Sequence, residues 1–331
     1  MTGERQAKWL TRFVRLKLAY LLDLAAAPFV RPDETVIVSG FWRSGTTWLQ
    51  ALIAGRTGAK TVFEPFRFRA DGMQAHYHRV GLPGGESLQR AFMPWGQGDP
   101  GRRLVLRVIS RGLRATLHSN QVRMYRDRQP LRHSMRRRVV LKTVRAHLAL
   151  DLIREAFPNP IVHISRDPRA VIASAVHKTD RMWGVFEPFD LAGQLLGVDD
   201  GRAETFAKWE SEIRRLNEAP FAIQLAAYWA LTERYLLDSL AGAGRVIVFA
   251  RYEELAKDPA SRIPALVERL GVPPETAGDA GSFRTDSPST TRTGQTIEDR
   301  LFGWRELLAG EEAEKIAAIA HAFDLADRLV D

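Results

Sequence analysis

The sequence predicts an α/β fold in three layers, αβα, around a central parallel sheet, and three observations carry that expectation. Short apolar runs, TVIVSG (35–40), TVFEPF (61–66), RVVLKTV (138–144), PIVHISR (160–166) and RVIVFAR (245–251), alternate with segments of helical periodicity. Strands spaced by helices imply a parallel sheet covered on both faces. The chain of 331 residues is 45% hydrophobic, enough for one large core carrying a sizeable insertion. No apolar stretch reaches the roughly 18 residues of a membrane span.

Residues 1–34 read as a basic amphipathic helix, with Trp9, Phe13, Leu16 and Tyr20 at helical spacing. Such a helix can lie on a membrane surface or pack against the fold. The stretch LAYLLDLAAAPFV has the outline of a signal peptide, but cleavage there would leave almost no chain before the first strand. The domain proper then runs over 35–331. TVIVSG is its first strand, and TTWLQALIAGR follows as a helix that Thr46 or Thr47 can cap. TVFEPF is a second short strand, broken by Pro65.

Residues 67–137 read as an insertion, Gly-rich at first and then helical and Arg-rich. Of the chain's net charge of +9, the segment 102–138 accounts for the whole excess, with twelve Arg against one acid, Asp127. Arg103, Arg107, Arg111 and Arg114 stack on one helix face beside an apolar stripe of Leu106, Ile109, Leu113 and Leu117. That face is either solvated or a surface for an anionic acceptor, an anionic lipid or a nucleic acid. Beyond the insertion come RVVLKTV as a strand, HLALDLIREAF as a helix, PIVHISR as a strand and PRAVIASAVHK as a helix opened by Pro168. RVIVFAR is read as another buried strand, and a helix, a loop and two further helices end the chain. With no cysteine, disulfides, thiolate metal sites and cysteine nucleophiles are excluded. His76, His78 and His118 are read as core or surface histidines, and no metal site is expected.

Two strand ends carry chemistry, because ligands of such sheets bind beyond the carboxyl ends of the strands. In SGFWRSGTTW the turn and the helix N-terminus can surround a phosphate. A nucleotide triphosphatase would add a Lys after the second glycine and an acid for Mg²⁺ at a later strand end. Here Thr46 follows Gly45, and the later strand ends read LKTVR and ISRDPR, with Asp167 between Arg166 and Arg169. At the second site Arg166 ends a strand and Ser174 lies about two helical turns on, so both could reach one anion. Alternatively, Arg166 and Asp167 pair and cap the helix. Two anion sites on one sheet imply a ligand with two separated phosphates.

Together these segments resemble the sulfotransferase family, whose donor is 3′-phosphoadenosine 5′-phosphosulfate (PAPS), a family with a P-loop NTPase-like fold. RSGTTW is similar to its 5′-phosphosulfate loop and SRDPRAVIAS to its 3′-phosphate motif, about 120 residues on. RVIVFARYEELAKDP, TTRTG and the later GW extend the likeness, which covers about 35–66, 139–178 and 244–308. The resemblance implies that Arg43, Ser44, Gly45, Thr46 and Thr47 hold the 5′-phosphate, with Arg43 stabilising the leaving group. Trp48 lies near the adenine or in the core. Arg166, Ser174, Arg292, Thr293 and Gly294 are implied at the 3′-phosphate, although Thr293 stands where the family has Lys.

For the base that accepts the acceptor's proton, VFEPF resembles a carbohydrate-type signature and points to Glu64. Glu187, in a second VFEPF, is the rival. Lys142 either stabilises the transferring sulfuryl group or forms a strand-end salt bridge. The reading is a sulfotransferase moving a sulfuryl group from PAPS to a hydroxyl of a carbohydrate, a glycolipid or a related acceptor, neutral or anionic, without a metal and leaving 3′,5′-ADP (PAP). Trp95 and Trp183 are candidate sugar-stacking platforms. A P-loop kinase or NTPase is the enzymatic alternative, and a basic membrane- or nucleic-acid-binding protein the other. The last leaves both anion loops unexplained, so no specific nucleic acid is expected. The expected location is the cytoplasm, where the donor is made, with peripheral contact to a membrane left open.

Overall fold

A computed structural model describes residues 3–67, 72–82, 91–118, 130–176, 189–241, 247–274 and 296–330, with side chains from Leu10 onward. Helix α1 (Gly3–Ala26) precedes β1 (Val36–Ser39), α2 (Thr46–Thr57), β2 (Lys60–Phe63), α3 (Met73–Arg79) and α4 (Asp99–Leu113). Then come β3 (Val139–Thr143), α5 (Leu150–Ala156), β4 (Ile161–Ser165) and α6 (Pro168–Val176). Four helices follow, α7 (Leu191–Leu195), α8 (Arg202–Phe206), α9 (Glu210–Asn217) and α10 (Phe221–Leu240), before β5 (Val248–Arg251). The chain closes with α11 (Tyr252–Lys257), α12 (Pro259–Arg269), α13 (Ile297–Phe302) and α14 (Gly310–Ala322).

The five strands are ordered β2-β3-β1-β4-β5, and all four pairings are parallel. The two-residue period of a strand sends alternate side chains to opposite layers. Val36 and Val38 of β1 join Trp48 and Leu49 of α2 and Leu266 of α12 in one core. Ile37 between them joins Ile109 of α4, Ile153 of α5 and Leu236 of α10 in another. The central layer is therefore apolar on both faces, as a buried parallel sheet requires. β5 departs from the expected buried strand. It is the sheet edge, where only one side is paired, and Phe249 is 37% exposed.

The layers also locate the site. The helix after β1 covers one face, whereas the helices after β3 and β4 lie on the other, among the cores of Leu150 and Ala170. β1 is thus flanked on both sides by a crevice at the carboxyl ends of the strands. At the opposite ends, α1 and the turn Leu131–Met135 close the base. Lys60, the first residue of β2, meets Asp23 of α1 at 3.6 Å, and the Arg31 amide donates to the Arg137 carbonyl at 2.8 Å.

In α4 the predicted arginine face is present, with Arg103, Arg107 and Arg114 exposed and Arg111 half-buried. The buried stripe is Leu104, Val105, Val108, Ile109 and Leu113, which keeps Ile109 and Leu113 of the expected stripe and adds Leu104, Val105 and Val108. Leu106 is only half-buried, and Leu117 is buried past the helix end. His78 and His118 lie at the surface and His76 in the core.

His76 is 1% exposed, and both its ring nitrogens lack hydrogen-bond partners among the described residues. Burial, partly opposed by Asp200, lowers its pKa from 6.5 to about 4. In that window the unfolded chain takes up a proton that the folded chain refuses, so stability falls as pH falls. Urea denaturation between pH 7 and pH 4 should show a loss of up to roughly 3 kcal/mol from this residue. His76→Leu should flatten that part of the slope; an unchanged slope would contradict the assignment.

Candidate functional site: two loops that meet across the sheet

The loop after β1 is shaped by close approach. A Cβ at Gly40 would stand 2.4 Å from the Ile164 carbonyl oxygen of β4, and one at Gly45 would stand 2.5 Å from the Tyr252 ring. Gly45 also has φ +90°, the left-handed region that glycine enters without steric cost. Arg43 takes φ +66° with a side chain to accommodate, and Glu64 φ +46°. Two of the four non-glycine residues in that region, among those described, are thus sequence-predicted catalytic candidates. Strain of this kind persists only where the surroundings over-determine it.

The surroundings of Arg43 are the other predicted loop. Its Nε donates to Ser174 Oγ at 2.9 Å, across 131 positions of sequence, and its carbonyl accepts from Arg166 Nη1 at 3.1 Å. Arg166 also donates to the Arg300 carbonyl and lies over the Tyr252 ring, 4.4 Å from its centroid. It does not pair with Asp167. That carboxylate accepts from the Arg169 amide at 2.8 Å, from the Arg169 guanidinium at 2.7, 3.1 and 3.3 Å, and from the Val330 amide at 2.9 Å. Asp167 does cap the helix, through the Arg169 amide, but it does so without Arg166, whose guanidinium stays with the loops. Ser44 Oγ and Arg166 Nε are buried without protein partners among the described residues. Orphaned donors between arginine side chains fit an anionic ligand.

On the other side of β1, Glu64 stands past the end of β2 and is 2% exposed. Its amide donates to the Lys142 carbonyl at 2.7 Å, which continues the parallel ladder for one residue. Its carboxylate accepts from the Val144 amide at 2.7 Å and from Thr143 Oγ1 at 3.2 Å. Lys142 Nζ approaches at 3.5 Å and Arg145 at 3.4 Å. Lys142 is also 4.0 Å from the centroid of Phe63. Burial lowers its pKa to about 8, against the pull of Glu64, so it carries its charge at neutral pH. The strand-end salt-bridge reading of Lys142 is the one present, and its partner is the predicted base.

Trp48 is 4% exposed and edge-on to Tyr252 in the core beneath the loop, which is the core reading of that residue. Trp95 does not serve as a sugar platform: it is 3% exposed and packed against Tyr235 and Phe206. Thr46 is buried and Thr47 half-buried at the start of α2. Glu187, Trp183, Arg292, Thr293 and Gly294 lie outside the described residues.

Sequence reasoning assigned no role to Tyr252, Glu253 or Arg145, and missed a buried cluster behind the loop. Tyr252 carries Arg166, and Glu253 Oε1 accepts from the Asp167 amide at 2.9 Å. RYEELAKDP signalled this segment only through its family likeness. The cluster is Glu233 of α10 between two imidazoles. His147 Nε2 meets Oε1 at 3.1 Å, and His163 Nε2 meets both carboxylate oxygens at 3.1 and 3.2 Å. His163 Nδ1 reaches Ser39 Oγ, the last residue before the loop, at 3.3 Å. Burial disfavours the Glu233 anion, but the imidazoles of His163 and His147 outweigh it, and the net shift of its pKa is downward. Burial leads His147 the same way, toward the neutral ring. These three side chains could offer ligands to a metal ion, their ligand atoms lying within 4.8 Å of one another; here they hydrogen-bond to each other.

The profile described as "Sulfotransferase family" matches residues 35–276, well over half of the chain. Two similar solved structures are described as "Sulfotransferase Domain from the Curacin Biosynthetic Pathway" and "Sulfotransferase Domain from the Synechococcus PCC 7002 Olefin Synthase". Each is 20% identical with a TM-score of 0.41; the alignments cover 86% and 88% of this chain and 95% and 94% of the other. No curated protein sequence matches.

Proposed function

Because the chain belongs to the sulfotransferase family and is a sulfotransferase, we propose that it transfers a sulfuryl group from PAPS, the donor its family implies, to a hydroxyl of a carbohydrate, a glycolipid or a related acceptor. The observation that carries the donor assignment is the contact between Arg43 and Ser174, with Arg166 on the Arg43 carbonyl. The two anion loops are one site, suited to a nucleotide with phosphates at both ends of its ribose. Ser44, Gly45, Thr46 and Thr47 would hold the 5′-phosphate, and Arg166 and Ser174 the 3′-phosphate. The proposed Arg292, Thr293 and Gly294 contacts complete the second group.

In the transfer, the bond from sulfur to the bridging phosphate oxygen breaks and a bond from sulfur to the acceptor oxygen forms. The acceptor's proton passes to Glu64, and the negative charge left on the phosphate falls beside Arg43. Lys142 would meet the transferring group. The acceptor class rests on VFEPF and stays a proposal, as do the cytoplasmic setting and the absence of a metal. Membrane contact would involve the base of the sheet and is separable from the chemistry.

The enclosure of Glu64 supports a second reading. A carboxylate engaged by an amide, a hydroxyl and two cations can also serve as the anchor of Lys142 and Arg145, with Glu187 as the base. Glu64→Gln decides between them. As base, it should cut turnover about 10²–10⁴-fold with 3′,5′-ADP affinity near wild type, measured by calorimetry. Retained turnover with a lowered denaturation midpoint would make Glu64 an anchor.

For the donor, Arg166→Ala should weaken 3′,5′-ADP by about 1.5–3 kcal/mol, the scale of a charged hydrogen bond, and leave 5′-AMP nearly unchanged. An equal loss for both nucleotides would remove Arg166 from the 3′-phosphate.

A further inference from the structure

Most of the exposed large apolar side chains, among the residues described, lie in one place. Of ten such residues among those described, seven lie between Leu10 and Phe29, and an eighth, Met135, is on the turn against which α1 packs. Single exposed apolar residues are ordinary, but a contiguous patch marks a contact surface. Leu10, Val14, Leu18 and Leu21 follow at spacings of four, four and three, a single stripe on α1, and are 56%, 56%, 42% and 61% exposed. Phe13 and Leu24 widen it, and Phe29 continues it past the helix end at 61% exposure.

The stripe is not the inner face of a helix that failed to dock. α1 is already seated by its other side, where Leu16, Ala19, Asp23 and Ala26 are 8%, 3%, 2% and 2% exposed. Asp23 meets Lys60, the Ala19 carbonyl accepts from Ser134 Oγ at 3.3 Å, and Tyr20 stands edge-on to His118. The fold therefore holds the apolar stripe outward.

Charge identifies what would cover it. Asp23 is the only acid between Leu10 and Arg31, and it is buried against Lys60. Arg12, Arg132 and Arg137 are exposed around the patch, Arg31 is exposed but paired with Glu34 at 2.7 Å, and Lys17 Nζ rests 5.5 Å from the Phe13 ring centroid, within the stripe. A lysine stem among apolar side chains, its head free to reach outward, suits the boundary between acyl chains and head groups. A second copy would bring the same positive rim against its own. None of the helices described is long and apolar enough to cross a membrane, so the helix would lie on the surface.

We propose that α1, with Phe29 and Met135, docks this protein onto the surface of an anionic lipid bilayer, its leucine stripe in the interface and its arginine rim on the head groups. This does not rest on the sulfuryl-transfer reading. The docking face is at the amino-terminal ends of the strands, and the arginine loops are at the carboxyl ends, so the site would open away from the bilayer. The acceptor would then come from the water side, which favours a water-borne carbohydrate over a glycolipid of the same membrane.

The test is sedimentation of the full chain with phosphatidylcholine vesicles, with and without about 30% phosphatidylserine. Binding should be at least about tenfold stronger to the anionic vesicles and should fall with added salt. Leu18→Gln/Leu21→Gln and, separately, Lys17→Gln/Arg132→Gln should each weaken it about tenfold, with urea midpoints and 3′,5′-ADP binding unchanged. No sedimentation with anionic vesicles, or full sedimentation of the leucine variant, would overturn the proposal. So would a wild-type dimer in sedimentation equilibrium that the leucine variant abolishes, which would make the stripe an interface between copies.

Discussion

The hydrogen bond from Arg43 to Ser174 is the contact on which the site depends. It joins the loop after β1 to the helix after β4, and it can form because those strands are neighbours and Gly40 lets the loop lie against the Ile164 carbonyl. A side chain at Gly40 would push the loop off β4. Arg43 is held in a left-handed conformation, and the Arg166 guanidinium on its carbonyl, itself laid over Tyr252, helps to fix that backbone. The cations are thus placed by packing before any ligand arrives, which is the condition under which fixed charge stabilises a departing anion.

Behind the loop the molecule spends buried polar groups on rigidity. Glu233, His147, His163 and Ser39 connect α10, β4 and the end of β1 through the layer beneath the site. A buried carboxylate costs heavily unless its partners are in place, so this network penalises any displacement of β1 relative to β4. The Glu64 cluster does the same on the other side, tying β2 to β3 with a carboxylate, Lys142 and Arg145. The two clusters bracket β1, and the crevices they leave are where the proposed chemistry lies.

The layered fold was legible because apolar runs and helical segments alternate without ambiguity, and Gly40, Gly45 and Pro168 punctuate them where the backbone requires it. The positions of Arg43, Arg166 and Ser174 could be read from two local motifs, since each loop is built from consecutive residues. What could not be read was pairing across distance. Nothing near Asp167 in sequence says that the Val330 amide, 163 positions on, also binds its carboxylate. His147, His163 and Glu233 are scattered over 86 positions, and only the order of the strands brings them together. Trp95 looked like a platform because its neighbours are polar and glycine-rich; Tyr235 and Phe206 bury it. Likewise β5, an apolar run, reads as a buried strand until the sheet order puts it at an edge.

The central claim is that one site, made from both loops, takes a nucleotide with phosphates on its 3′ and 5′ positions. Calorimetric titration of the wild-type chain with 3′,5′-ADP and, in parallel, with ATP and Mg²⁺ tests it most directly. Tighter binding of 3′,5′-ADP, unchanged by Mg²⁺, is the expected result. A preference for ATP with Mg²⁺ would contradict the account and point to phosphoryl transfer instead.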